Sequence, residues 1–215
     1  MSLQFEVLDA ESGRFTYPDD LYDGLLAEFD GLLDDQGAGQ LADKPYLAAL
    51  DRLLAEAPDF VDVYAHIASH WHRRGKPKKA LDAALQGLSV SNRLIPEGFA
   101  GRIEWAHLDN RPYLRAMHVA LLSYMRLRRH KDAVVLIELM LARNPNDNQG
   151  VRYLLGSEAL RAGDYDRAQA AFEAEAAACR LVLPLTDNWS APGATARPVS
   201  KTVRERLCAI AARAI

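Results

Sequence analysis

The sequence predicts an all-α chain of stacked antiparallel helical hairpins, and three observations carry that prediction. Apolar residues recur at one helical period along most of the chain. Three segments repeat one order: large and small apolar residues, a break, then a small residue opening a second apolar helix. The breaks fall on residues that stop or restart helices, at Gly75, Gly163 and Asn144-Pro145-Asn146-Asp147. With 215 residues, 49% hydrophobic and 26% charged, the chain can bury a sizeable core as one domain with extensions.

Residues 1–42 read as an acidic segment with one helix. Leu3, Phe5 and Val7 alternate, which suits extended backbone over residues 1–17. A helix opens at Pro18 and runs to Asp35, with Leu21, Leu25, Phe29 and Leu32 on one face among many acids. Residues 43–180 hold the repeats. A half-unit comes first, with Tyr46, Leu50 and Leu53 on one face and Pro58 closing it. The first full unit runs through Tyr64, Ile67, Ala68, Trp71, Gly75, Ala80, Ala84 and Gly87. The second runs through Met117, Ala120, Leu121, Tyr124, Arg128, Ala133, Ile137, Met140 and Pro145. The third runs through Leu155, Gly156, Ala159, Gly163, Tyr165, Ala168 and Phe172. Small residues let paired helices approach, and Trp71, Tyr124, Leu155 and Phe172 are expected to be buried between them.

An insertion at 92–112 interrupts the series. Within it Arg102 to Leu108 is expected as a short helix, and Asn110-Arg111-Pro112 as the start of the next unit. The insertion either pads one end of the array or has a role of its own. Residues 181–215 read as a linker with Pro184, Pro192, Gly193 and Pro198, then an amphipathic helix with Val203, Leu207, Ile210 and Ala214 on one face. That helix is expected to cap the last hairpin, with docking in a groove or on another chain as the alternative.

The joint spacing resembles the tetratricopeptide repeat, W-x2-L-G-x2-Y, then G, then A-x3-F, and a closing P. Units counted this way begin at Val61, Leu114 and Gln149, which are 53 and 35 residues apart. Arg128 stands at a usual glycine, and the first and last units lack the closing proline. The resemblance implies a right-handed superhelix with extra N- and C-terminal helices. It also implies a concave groove, lined by the first helix of each hairpin, for a peptide or partner helix. The ligand-facing positions map onto Asp62, Ala65, Ser69 and Arg73, then Arg115, His118, Leu122 and Arg126, then Tyr153, Ser157 and Arg161. Arg73, Arg126 and Arg161 share one position and would align as a ladder suited to carboxylates or phosphates. Each could equally serve the dipole at its helix end. Ala65 and Ser69 stand where chaperone-binding members carry Lys and Asn, so that mode is disfavoured.

Net charge is −3, yet residues 1–59 carry −11 and residues 60–215 carry +8. Such asymmetry concerns partners or self-contact rather than fold. Cys179 and Cys208 sit in no motif, which excludes a disulfide scaffold or cysteine-rich zinc module. No run reaches the length of a membrane helix, and residues 1–17 show no signal-peptide pattern, so the expected location is the cytoplasm. His66 and His70 lie four apart on one helix face, a spacing that can hold zinc, but no third ligand is paired with them and packing histidines are preferred. No phosphate-loop, dinucleotide or nucleophile-elbow motif occurs. The expectation is therefore a non-enzymatic protein–protein interaction scaffold with no cofactor and no membrane partner. Its partner would be a protein or acidic peptide, with weak homodimerisation carried by residues 1–59. A nucleic-acid or ribosome-associated protein is the alternative, and a metal-dependent enzyme ranks behind both.

Overall fold

A computed structural model describes residues 3–17 and 19–186. Pro18 and the final helix expected at Val203 to Ala214 lie outside the described residues. The chain divides into two compact units, Met1–Glu175 and Ala176–Ile215. The first opens with strands β1 (Gln4–Val7) and β2 (Gly13–Thr16), followed by helices α1 (Asp19–Gly37), α2 (Asp43–Glu56), α3 (Val61–Arg73) and α4 (Pro77–Asn92). After the insertion come α5 (Arg111–Arg126), α6 (His130–Arg143), α7 (Arg152–Ala162) and the start of α8 (Tyr165–Thr186). Helices adjacent in sequence pack on each other from α1 to α7, and α3 also packs on α5.

The hairpins are built on one recurring turn. At the end of α3 the Gly75 N–H donates to the His72 carbonyl at 3.0 Å and the Lys76 N–H to the Trp71 carbonyl at 2.9 Å. After α5, Arg128 donates to Met125 at 3.1 Å and Arg129 to Tyr124 at 2.9 Å. After α7, Gly163 donates to Leu160 at 3.1 Å and Asp164 to Ala159 at 2.9 Å. The same pair closes α1, from Gly39 to Gln36 and from Gln40 to Asp35. This is the helix-ending motif that needs a left-handed residue to satisfy the last carbonyls. Gly39, Gly75, Arg128 and Gly163 have φ of +73°, +67°, +58° and +80°. The last three are spaced by the 53 and 35 residues read from the sequence. Five residues after each of these three stands a buried alanine, Ala80, Ala133 or Ala168, where the second helix meets the first. At Gly156 an added Cβ would lie 2.5 Å from the Phe172 ring, so α7 and α8 approach closely there.

Two expectations require correction. Phe172 is 44% exposed, because it lies over Gly156 on the last hairpin and no further described helix covers its outer side. Trp71, Tyr124 and Leu155 are half-buried; Lys79 sits 4.3 Å above the Trp71 ring and Arg129 4.6 Å above that of Tyr124. The helix expected at Arg102 to Leu108 does not form; a single 3-10 turn, Leu108–Asn110, precedes α5 instead. Its backbone groups are engaged elsewhere. Arg102 bonds both ways with the end of the β-hairpin, accepting from Gly13 N–H at 2.9 Å and donating to the Glu11 carbonyl at 2.6 Å. The Ile103 N–H donates to the Arg143 carbonyl at 2.7 Å and the Trp105 N–H to Asn144 Oδ1 at 3.2 Å.

The insertion thus joins the N-terminal hairpin to the end of α6. Phe5 meets Phe15 and Phe99 edge-on, Phe15 meets Tyr113, and Ile103 is fully buried. Fully buried Asn110 fastens this layer: its Oδ1 accepts the Phe15 N–H at 2.8 Å and its Nδ2 donates to the Glu104 carbonyl at 2.9 Å. Arg143 adds two bonds to the insertion, to the Gly101 carbonyl at 2.6 Å and the Phe99 carbonyl at 2.9 Å. At the start of the array α1 packs on α2, with Leu25 and Phe29 buried.

Asn110→Ala should destabilise the fold by about 1–3 kcal/mol, since it strands the Phe15 N–H in the interior and removes one of two donors to the Glu104 carbonyl, which keeps the His107 N–H. Urea unfolding measures this, and a loss under about 0.5 kcal/mol would show that the clamp is dispensable. At the turns, Arg128→Gly should raise stability by up to about 1 kcal/mol by relieving a left-handed non-glycine residue. Gly163→Ala should lower it by about 1 kcal/mol, although its Cβ would meet open space, because only the backbone is strained.

Candidate binding site

Several of the eleven positions mapped onto the ligand-facing stripe are engaged within the fold. Ala65 is buried and presents nothing. Asp62 and Arg115, equivalent residues of successive units, are joined by two bonds from Arg115 Nη1 at 2.8 and 2.6 Å, a cross-link between α3 and α5. Ser157 is half-buried and donates its hydroxyl to the Leu154 carbonyl at 3.0 Å. Ser69, His118 and Leu122 are half-buried, while Arg73 and Tyr153 are exposed. Gln149 Nε2 donates to the Leu114 carbonyl at 3.1 Å, again tying equivalent positions of neighbouring units.

Two members of the arginine ladder do come together. Arg126 and Arg161 line an open cleft of about 600 Å³ with Met125, Arg128, His130 and Glu158. The cleft lies between the α5–α6 turn and α7. Arg126 Nη1 donates to the His72 carbonyl at 2.9 Å, a second donor to a carbonyl that already accepts the Gly75 N–H. Glu158 is 1% exposed, and a carboxylate so buried needs cationic partners. Arg161 Nη1 supplies one at 2.5 Å and His130 Nδ1 lies 2.7 Å from the other oxygen. Glu158 therefore holds both side chains in place, and its charge is already matched. The guanidinium groups of Arg126 and Arg128 leave the cleft with a positive excess over that one acid.

Arg128, His130 and Glu158 were not among the stripe residues. Arg128 had a signal, since it breaks the glycine position of the repeat. The pairing of His130 with Glu158 joins residues 28 apart on different helices and leaves no local pattern to read.

The histidine run divides between packing environments. His66 meets the Phe29 ring edge-on at 5.0 Å, whereas His70 is 2% exposed between Tyr46 and Trp71. Among the described residues no group of three or more His, Cys, Asp or Glu is arranged to hold a metal ion. Likewise no described helix is long and apolar enough to cross a membrane. Burial pushes the pKa of His66, His70, His72 and His118 below the usual imidazole value. For His72 the nearby Arg126 and His118 act in the same direction.

These shifts have a stability consequence. Below an unfolded value of about 6.5 the unfolded chain binds more protons than the folded one. The contribution of neutral, buried histidines is complete above that pH and is lost as pH falls through their lower folded values. Unfolding in urea should thus show lower stability at about pH 5.5 than at about pH 7.5, with a smaller difference in His118→Gln. Equal stability at both pH values would contradict the burial of these rings. No protein-family model, curated protein or solved structure matches this chain, so the chemistry of the cleft has to be read from its own residues.

Proposed function

We propose that this chain is a tetratricopeptide-like interaction module that captures an acidic segment of a partner protein in the cleft between the α5–α6 turn and α7. The observation that carries this reading is Arg128. Equivalent turns use Gly75 and Gly163, whose φ values cost glycine nothing. The α5–α6 turn instead holds an arginine at φ +58°, a conformation that disfavours a branched Cα by about 1–2 kcal/mol. Strain of this kind gathers at functional sites, and here it places a guanidinium at the mouth of a cleft that already holds Arg126 and Arg161. Arginine forks bind carboxylates and phosphates in pairs, and Arg161 is set in advance by buried Glu158.

The recurring turns, the buried alanines and the cross-links between equivalent positions support the repeat assignment, including a superhelical stack of the hairpins. In this reading the module acts by binding, without catalysis or cofactor, and in the cytoplasm. The contact surface is narrower than the stripe of first-helix residues. It centres on Arg126, Arg128 and Arg161, with exposed Arg73 and Tyr153 as neighbours along the array.

The test uses one variant for two purposes. Arg128→Gly, expected to stabilise the fold, should weaken binding of a fluorescent Asp/Glu-rich peptide by about threefold to tenfold. Arg126→Ala with Arg128→Gly should weaken it further, and the loss should be mimicked by salt. Unchanged affinity in the double variant removes the cleft from the site. Tighter binding of single-stranded RNA than of the peptide would favour a nucleic-acid partner instead.

A further inference from the structure

We propose that the acidic segment taken by this cleft is α1 of a second copy of the chain, so that molecules associate head to tail. This rests on reading the cleft as a receptor for acidic segments and names one occupant.

The first observation is the condition of α1. Asp23, Asp30, Asp34 and Asp35 are exposed, and none forms an ion pair among the described residues. Glu28 differs from them, being bound to Arg52. Asp30 and Asp34 lie one turn apart and repel each other. Asp34 and Asp35 fall near the C-terminal end of the helix, where the dipole is negative, and the last turn carries no basic residue. This acidic end is unfavourable in the isolated molecule and improves when cations are brought to it.

The second observation is independent and lies at the other end of the hairpin series. The cleft offers Arg126, Arg128 and Arg161 against a single carboxylate that is already engaged. Because α1 packs on α2 and the cleft is framed by α5, α6 and α7, the complementary patches sit on opposite ends of one array. Neither patch is its own complement. A single contact between them leaves one patch free on each copy, so assembly either continues from copy to copy or closes as a two-fold dimer in which each patch meets the other copy's complement. Exposed charges drive it, so it is screened within a Debye length of about 10 Å at moderate salt. Self-association and capture of another acidic segment compete for the same guanidinium groups.

Sedimentation of the full chain at about 20 mM and about 500 mM salt provides the test. Wild type should show an average mass that rises with concentration at low salt and returns to the monomer at high salt. Asp30→Lys with Asp34→Lys, and separately Arg126→Glu with Arg128→Glu, should each weaken association by about tenfold or more at low salt. Urea unfolding of both variants checks that they remain folded, and Arg161 is left intact to keep Glu158 paired. An equimolar mixture of the two variants should regain assembly, because each supplies the charge that the other now accepts. A monomeric wild type at low salt, variants that assemble like wild type, or a mixture that stays monomeric overturns the proposal. Binding of the Asp/Glu-rich peptide to a monomeric wild type rejects self-docking while leaving the cleft as a receptor. Failure of both measurements rejects the cleft itself.

Discussion

One backbone conformation organises the first unit of this chain. Each hairpin turns on a single left-handed residue, whose N–H and that of the next residue satisfy the carbonyls left open at a helix end. Without that reversal the second helix could not return along the first, and the buried alanines five residues later would face nothing. At three of the four turns glycine meets the requirement. At the fourth, arginine does, and the same turn builds the wall of the cleft. The site and the fold therefore share a residue, with local strain on one side and a placed charge on the other.

The helical stack is held by apolar contact, but its edge is held by polar bonds. Asn110, Asn144 and Arg143 accept from or donate to backbone groups of the insertion and the N-terminal hairpin, the Phe15 N–H among them being buried. Gly101 allows this layer to close, since a Cβ there would lie 2.7 Å from the Glu11 backbone. The aromatic rings of Phe5, Phe15, Phe99 and Tyr113 then fill the space between sheet and helices.

Much of the helical part was legible in the sequence because its signals are local. Period, breaks and small residues lie within single hairpins, and the 53 and 35 residue intervals reappear in the turns. Leu3, Phe5 and Val7 suggested extended backbone, but their partner strand was not foreseen, and neither was the bridge from Ser12 to Arg102. Such pairings depend on residues far apart in the chain. Burial of Phe172 failed as an expectation for a related reason: periodicity states which face of a helix is apolar, not whether another element covers it. In the candidate site, Arg126 and Arg161 followed from repeat position, whereas the burial of Glu158 on α7 followed from nothing local.

The seam between the N-terminal hairpin and the insertion also orders events in time. Phe15 waits for Asn110, 95 residues later in the chain, and the insertion waits in turn for Arg143 and Asn144. At the usual pace of synthesis the first strands emerge about 5–20 s before their binding partner exists. Through that interval Phe5 and Phe15 lack Phe99, Tyr113 and Asn110, the residues that meet them in the finished fold. The nascent chain can complete its early helical hairpins as they appear, but the β-hairpin is sealed only once Asn110, Arg143 and Asn144 have been made.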